Sequence, residues 1–267
     1  MPELPEVETV RRQLAQEIVG EVVSLIEVRR EGCFVGKPDR ARSERITKVL
    51  RRGKYLFIVF QSGRGLTVHL KMTGRLVIEK DWYETAPHTR VVMRMVSGRS
   101  LYFWDTRAFG YVKEEEEIEK AQEKVRARLG PEPGELTEIE FLRKLQKTGR
   151  KVKDALLDQT ILAGVGNIYA NDALHLAQIL PTRKANTITL GECRKLLLAI
   201  REVLKRGLET NGASDNSYLD AYGEKGGYQN EFRVYGKTKG ECPVCGLKLI
   251  YGKVGGRGTW WCTTCQG

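Results

Sequence analysis

The chain has 267 residues, 41% hydrophobic and 30% charged, with a formal net charge of +11. This length suits two domains with a core each. No apolar run approaches the roughly 18 residues of a membrane span, and charges occupy the start, where a secretory leader needs an apolar stretch; the expectation is a cytoplasmic protein. The positive excess favours a polyanion such as nucleic acid or a membrane surface.

In chain order, the first segment is MPELPEVETVRRQLAQEIV. Val7, Val10, Leu14 and Ile18 recur at helical spacing. Pro5 suits a first turn, and Glu6 and Glu8 suit the positive end of the helix dipole. Taken alone, this is a helix behind a short leader. Strand patterns follow in ITKVLRRGKYLFIVF, GLTVHLKMTG, RVVMRMV and RSLYFW, separated by glycine turns. Leu66, Val68 and Leu70 alternate with Thr67, His69 and Lys71, and parity puts Met72 on the apolar face. Such a run of short strands predicts a sandwich or barrel. The acidic run Glu114 to Glu117 reads as a solvated surface segment.

RLGPEPGEL, residues 128–136, reads as a linker. Helical patterns follow it. Thr189 and Glu192 fit a capping box, and Cys193, Leu196, Leu197, Ile200, Val203 and Leu204 form one apolar face. Cys193 on that face is expected to be buried and inert. Residues 211–228 are polar and glycine-rich, a loop with or without function.

Cys242, Cys245, Cys262 and Cys265 form two C-x2-C pairs sixteen residues apart. Four soft sulfurs closing a tetrahedron predict one zinc ion, structural because no coordination position stays open. Between the pairs, the glycines around Arg257 suggest a tight turn. Arg257 is either an ordinary surface cation or a probe for phosphate.

MPELPEVETV, RRGKYL, HLKMTGRL, DTRAFG, LLDQTILAGVGNIYANDAL, EFRVYGK and the four-cysteine finger together resemble the bacterial formamidopyrimidine-DNA glycosylase family, which includes an endonuclease VIII branch. The resemblance covers essentially the whole chain. It implies an α+β fold in two domains: an N-terminal helix with a β-sandwich over 1–130, then a helix–two-turns–helix domain over 131–233, with a zinc finger over 234–267. It departs at two places: many relatives have glutamate at Asp172 and phenylalanine at His175. His175 reads as a satisfied, partly buried histidine without assigned chemistry.

The resemblance also implies roles. With Met1 removed, Pro2 becomes a secondary amine that attacks the sugar of a damaged nucleotide in duplex DNA, and β,δ-elimination follows. Glu3 transfers protons. Glu6 supports the site, or else only pairs with the helix dipole. Lys54 contacts phosphates flanking the lesion, and Lys153 lies near the flipped nucleotide. His69, Asn167, Tyr235 and Arg257 match phosphate contacts, with Arg257 also placed in the catalytic set. Met72, Arg107 and Phe109 match the wedge that fills the vacated stack, which points to oxidised purines. The 211–228 loop is the candidate cover over the flipped base. The alternatives are the same chemistry on oxidised pyrimidines, or a non-catalytic DNA-binding zinc protein on the same scaffold. A single-chain clamp needs no partner subunit, so a monomer is expected.

Overall fold

The structure, a computed structural model, describes residues 1–215 and 217–267. The chain forms two compact units, one of Met1–Ala127 with Gly207–Gln229, the other of Arg128–Arg206 with Asn230–Gly267. The first unit's opening segment ends at Ala127 and the second unit begins at Arg128. Residues 207–229, by contrast, pack with the first unit and not with the helices around them in sequence.

The first unit opens with α1 (Leu4–Glu17), and Val7, Val10, Leu14 and Ile18 all point into the core, as their spacing predicts. Then come β1 (Val23–Val28), β2 (Phe34–Val35), β3 (Ile46–Arg52), β4 (Tyr55–Phe60), β5 (Gly65–His69), β6 (Arg75–Ile78), α2 (Trp82–Thr85), β7 (Thr89–Met95), β8 (Ser100–Trp104), β9 (Tyr111–Glu115) and α3 (Ile118–Arg128). Two sheets form, in the orders β1-β7-β8-β6 and β2-β9-β5-β4-β3. Ile26, Met93, Leu101 and Phe103 of the first share one core with Ile58, Leu66, Val68 and Val112 of the second, which makes a sandwich.

Two details depart from the sequence reading. β5 is buried on both faces, because α3 covers the outer face of its sheet, placing Ile118 and Ala121 against Phe57. The acidic run is not uniformly solvated: Glu114 is a buried residue of β9, 3.7 Å from the Arg40 guanidinium.

The second unit contains α4 (Glu138–Gln146), α5 (Val152–Leu157), α6 (Asn167–Leu176) and most of α7 (Leu190–Glu209), then the hairpin β10 (Ile250–Val254) and β11 (Arg257–Trp261). Thr189 and Glu192 make the reciprocal capping bonds expected of them, and the apolar face of α7 is buried. Cys193 is buried and its thiol pushed up to about 11, chiefly by that burial. Among the described residues, no helix is long and apolar enough to cross a membrane.

Candidate active site and nucleic-acid interface

In the first unit, Met1 is exposed and acylates the Pro2 nitrogen, whereas Pro2, Glu3 and Glu6 are buried. Glu6 occupies the third helical position and its Oε2 accepts the Glu3 backbone N–H at 2.7 Å. Its Oε1 accepts the Ala213 N–H at 2.8 Å. One carboxylate therefore satisfies a helix-end donor and also fixes a loop 207 residues away in sequence. That second bond goes beyond a dipole interaction, which needs no distant partner.

Lys54 lies in the two-residue turn between β3 and β4, where Arg52 pairs with Tyr55. Gly53 takes φ 55° at the first turn position, the left-handed conformation a type II′ hairpin requires there. The turn is tied to α1: Glu8 Oε2 accepts Arg51 Nε at 2.9 Å, and Arg51 Nη1 donates to the Gly53 carbonyl at 2.9 Å. Helix start and lysine turn are thus braced by one ion pair whose side chains are both largely buried. Burial pushes the Glu8 carboxyl up, but hydrogen bonds from Arg11, Arg51 and Arg12 together outweigh it and hold the group below the usual carboxylate range.

His69 ends β5 with its ring edge-on to Tyr55 at 4.5 Å. Its Nδ1 accepts the Lys71 N–H at 3.0 Å, so the ring proton resides on Nε2, and the imidazole serves as a neutral donor. Burial, then the charges of Lys71 and Lys54, lower its pKa to about 3. Between that value and the unfolded value near 6.5, the unfolded chain binds the extra proton, so stability rises with pH. Melting temperature measured from pH 4 to 6.5 should climb less steeply in His69→Gln, which removes up to ~1.4 kcal/mol per pH unit from the slope. An unchanged slope would contradict a buried neutral His69.

Met72 lies beyond the end of β5, where Lys71 turns the chain with φ 52°, and so escapes the strand parity that would bury it. It is half-buried. Arg107 and Phe109 are exposed on the turn between β8 and β9, with the guanidinium 4.6 Å from the ring centre. Asp105, fully buried, precedes them and accepts the Arg107 and Gly110 N–H groups at 3.1 and 2.8 Å.

The 211–228 loop is well anchored to its own unit. Gln13 donates to Asp220 at 2.8 Å and accepts the Ala221 N–H at 2.9 Å, and the Ala221 carbonyl accepts from Ile78. Tyr218 is buried and its hydroxyl donates to the Glu6 carbonyl at 3.4 Å. Asn216, part of the expected cover, lies outside the described residues.

In the second unit, two side chains converge on one carbonyl. Lys153 Nζ donates to Gly258 O at 2.9 Å and to Thr259 Oγ1 at 2.7 Å; Asn167 Nδ2 donates to the same Gly258 O at 3.1 Å. Lys153 has no exposed surface; its ammonium holds the start of β11, next to Arg257. Gly255 and Gly256 form the two-residue turn ahead of Arg257, both with positive φ, as a type I′ turn demands. A Cβ at Gly255 would meet Asp154 Oδ1 at 1.9 Å. Arg257 itself is exposed.

Tyr235 is half-buried, edge-on to Phe232 and Trp260. Its backbone is held by Asp172, whose carboxylate accepts three successive N–H groups, from Arg233, Val234 and Tyr235, at 3.0–3.1 Å. The shorter acid at this position is thus a full anchor for the segment entering the finger.

The four cysteines place their Sγ atoms within 4.8 Å of one another, with Cys242–Cys265 at 3.8 Å and Cys245–Cys262 at 3.5 Å. Tetrahedral Zn–S bonds of about 2.3 Å require S···S edges of about 3.8 Å, so the donor set fits one ion. His175 is buried with Nε2 3.3 Å from Cys242 Sγ; it contacts the cluster, more than a satisfied core histidine does.

The formamidopyrimidine-DNA glycosylase N-terminal domain matches residues 1–112, and the H2TH domain of the same glycosylase matches 129–218. The chain belongs to the formamidopyrimidine-DNA glycosylase family. The Desulfitobacterium hafniense formamidopyrimidine-DNA glycosylase is 42% identical over all of both chains. The crystal structure of the Thermus thermophilus MutM (Fpg) protein superposes with TM-score 0.90 at 40% identity, covering 100% of this chain and 99% of that one. The Lactococcus lactis Fpg, solved with Fapy-dG DNA as a G226P mutant, matches with TM-score 0.91 at 35% identity over 99% of both chains; its wild type has also been solved with oxidised-pyrimidine DNA.

Within this glycosylase family frame, sequence reasoning missed several supporting residues. Gln159, in the turns between α5 and α6, donates to the Leu157 and Val165 carbonyls and accepts from Gly164. Arg51 and Glu8 were legible only as charges. Asp105 lies within the DTRAFG segment, which by itself assigns it no role. Gln159, Arg51 and Asp105 bond backbone atoms brought near by turns, Glu8 bonds the Arg51 side chain from a distant element, and no periodic pattern marks such contacts.

Proposed function

We propose that this protein is a base-excision-repair DNA glycosylase and AP lyase acting on oxidised purines, 8-oxoguanine and formamidopyrimidines, in duplex DNA. The observation that carries this is the buried N-terminal turn, in which Glu6 fixes Glu3 beside Pro2. Removal of Met1 makes the Pro2 nitrogen a secondary amine. An α-amino group has a reference pKa of about 7.7–8.0, so a useful fraction is unprotonated near neutrality. Its lone pair forms a bond to C1′, the bond from C1′ to the base breaks, and the base departs with a proton. The C1′–O4′ bond then breaks as O4′ takes a proton, and the nitrogen lone pair forms the C1′=N double bond of an iminium, which withdraws electrons from the sugar. Loss of a C2′ proton expels the 3′ phosphate, and a second elimination expels the 5′ phosphate.

Glu3 delivers a proton to the opening sugar ring and takes part in the later transfers; a dry site suits a carboxyl group to that task. Glu6 positions it. Lys54, His69, Asn167, Tyr235 and Arg257 bind phosphate, lysine and arginine by charge and the others by directed hydrogen bonds. Lys153 supports Arg257 by holding the Gly258 carbonyl. Met72, Arg107 and Phe109 fill the space left by the extruded nucleotide, as base chemistry requires. Zinc is the ion that suits four thiolates; it braces the finger and leaves the chemistry to the amine. The protein works as a cytoplasmic monomer.

Base release from defined duplexes tests this reading. Release of 8-oxoguanine should exceed that of thymine glycol; the reverse order favours oxidised pyrimidines. Duplex affinity should fall steeply with salt, by about tenfold or more between 50 and 200 mM, as phosphate contacts release counterions. A flat response contradicts the phosphate assignments.

A further inference from the structure

We propose that Asp105 is the positioning residue of the wedge: its single buried carboxylate locks the turn carrying Met72 to the turn carrying Arg107 and Phe109. This rests on the reading of those three side chains as the wedge. Oδ1 of Asp105 accepts the hydroxyl of Thr73, the residue after Met72, together with the Arg107 N–H at 3.1 Å. Oδ2 accepts the Gly110 N–H at 2.8 Å. The Thr73 hydroxyl oxygen lies 3.3 Å from the same Arg107 nitrogen, so the two turns are cross-linked twice. Beneath them the buried Arg90 guanidinium donates to the Asp105 carbonyl at 2.7 Å and the Thr106 carbonyl at 3.3 Å, and the Asp105 N–H donates to His88 O at 2.9 Å.

Each turn also contains a non-glycine residue in the left-handed region: Lys71 at φ 52°, directly before Met72, and Ala108 at φ 52°, between Arg107 and Phe109. Residues with a Cβ disfavour that region and remain there where the surroundings hold them. Arg107 and Phe109 are exposed, so their aim follows the backbone beneath them, and the Asp105 carboxylate defines that backbone. Hydrogen bonding of Arg107 to the orphaned base is directional. Loosening the turns should therefore damage base extrusion and opposite-base discrimination. It should spare amine chemistry at a site that has no base to extrude.

The test compares wild type, Asp105→Ala, Thr73→Val and Thr73→Ser, all Met1-processed, on two duplexes. On 8-oxoguanine opposite cytosine, Asp105→Ala should lose excision by about 100-fold, the scale of a small misplacement of reacting groups. Its preference for cytosine over adenine opposite the lesion should drop about tenfold, as expected for one directed base contact. Borohydride trapping on a preformed abasic duplex should stay within about threefold of wild type, because that step bypasses extrusion. Thr73→Val should shift in the same direction, and Thr73→Ser, which restores the hydroxyl, should recover. Where Asp105→Ala fails to fold, the Thr73 pair carries the test. Equal losses on both duplexes, undiminished discrimination, or a serine variant no better than valine overturns the proposal. A wild type that forms no adduct overturns the underlying reading, and the proposal with it.

Discussion

Glu3→Gln is expected to lower base release by about 10²–10⁴-fold, the usual contribution of a positioned acid or base, while duplex affinity changes little. Glutamine keeps the size and polarity of the buried side chain, and the bond from the residue-3 N–H to Glu6 involves only backbone at that position. The substitution therefore removes a transferable proton and leaves the helix start in place. Single-turnover release of 8-oxoguanine, read beside fluorescence anisotropy on the same duplex, separates chemistry from binding. Undiminished release would remove Glu3 from the mechanism.

Stripping the metal is expected to have the second large effect. Each chain should hold one zinc ion. Apparent binding energies of structural zinc sites reach roughly 10–16 kcal/mol, more than a segment of this length gains from its own core. The finger's buried apolar cluster is small: Val234, Leu249 and two of the ligands themselves, Cys242 and Cys262. Without the ion, the segment that presents Arg257 loses its brace, and β11 is left to its pairing with β10 and its bonds with Lys153, Asn167 and Asn171. Chelation should reduce DNA affinity by about tenfold or more, as loss of a positively charged phosphate-binding element would, and zinc should restore it. Full affinity in a metal-free protein would contradict the finger's part in DNA contact.

The parts of this molecule that were readable from sequence are those set by local rules. The spacing of Val7, Val10, Leu14 and Ile18 gave α1, the Thr189–Glu192 pair gave the start of α7, and the cysteine spacing gave a cluster of compatible geometry. Parity alone misplaced Met72, because the strand ends at His69 and Lys71 turns the chain. It also left Thr67 on a solvent face that α3 in fact covers. The packing of 207–229 with the first unit depends on bonds from Glu6 and Gln13 to residues some two hundred positions away. The resemblance places Lys153 near the flipped nucleotide; its burial under the hairpin rests on acceptors at Gly258 and Thr259 that its own neighbours in sequence do not reveal. His175 and Asp172 stood out only as departures from relatives, and their contacts with Cys242 and with residues 233–235 became visible in three dimensions.

The central claim is that the nucleophile is the nitrogen of Pro2. Borohydride reduction of a mixture of Met1-processed protein and 8-oxoguanine duplex, followed by proteolysis and mass spectrometry of the cross-linked peptide, tests it most directly. The account predicts a stable adduct on the peptide beginning PELPEVETVR, with the added mass on Pro2, and its loss when Met1 is retained. An adduct on Lys54 or another lysine, or undiminished trapping with Met1 in place, would contradict it.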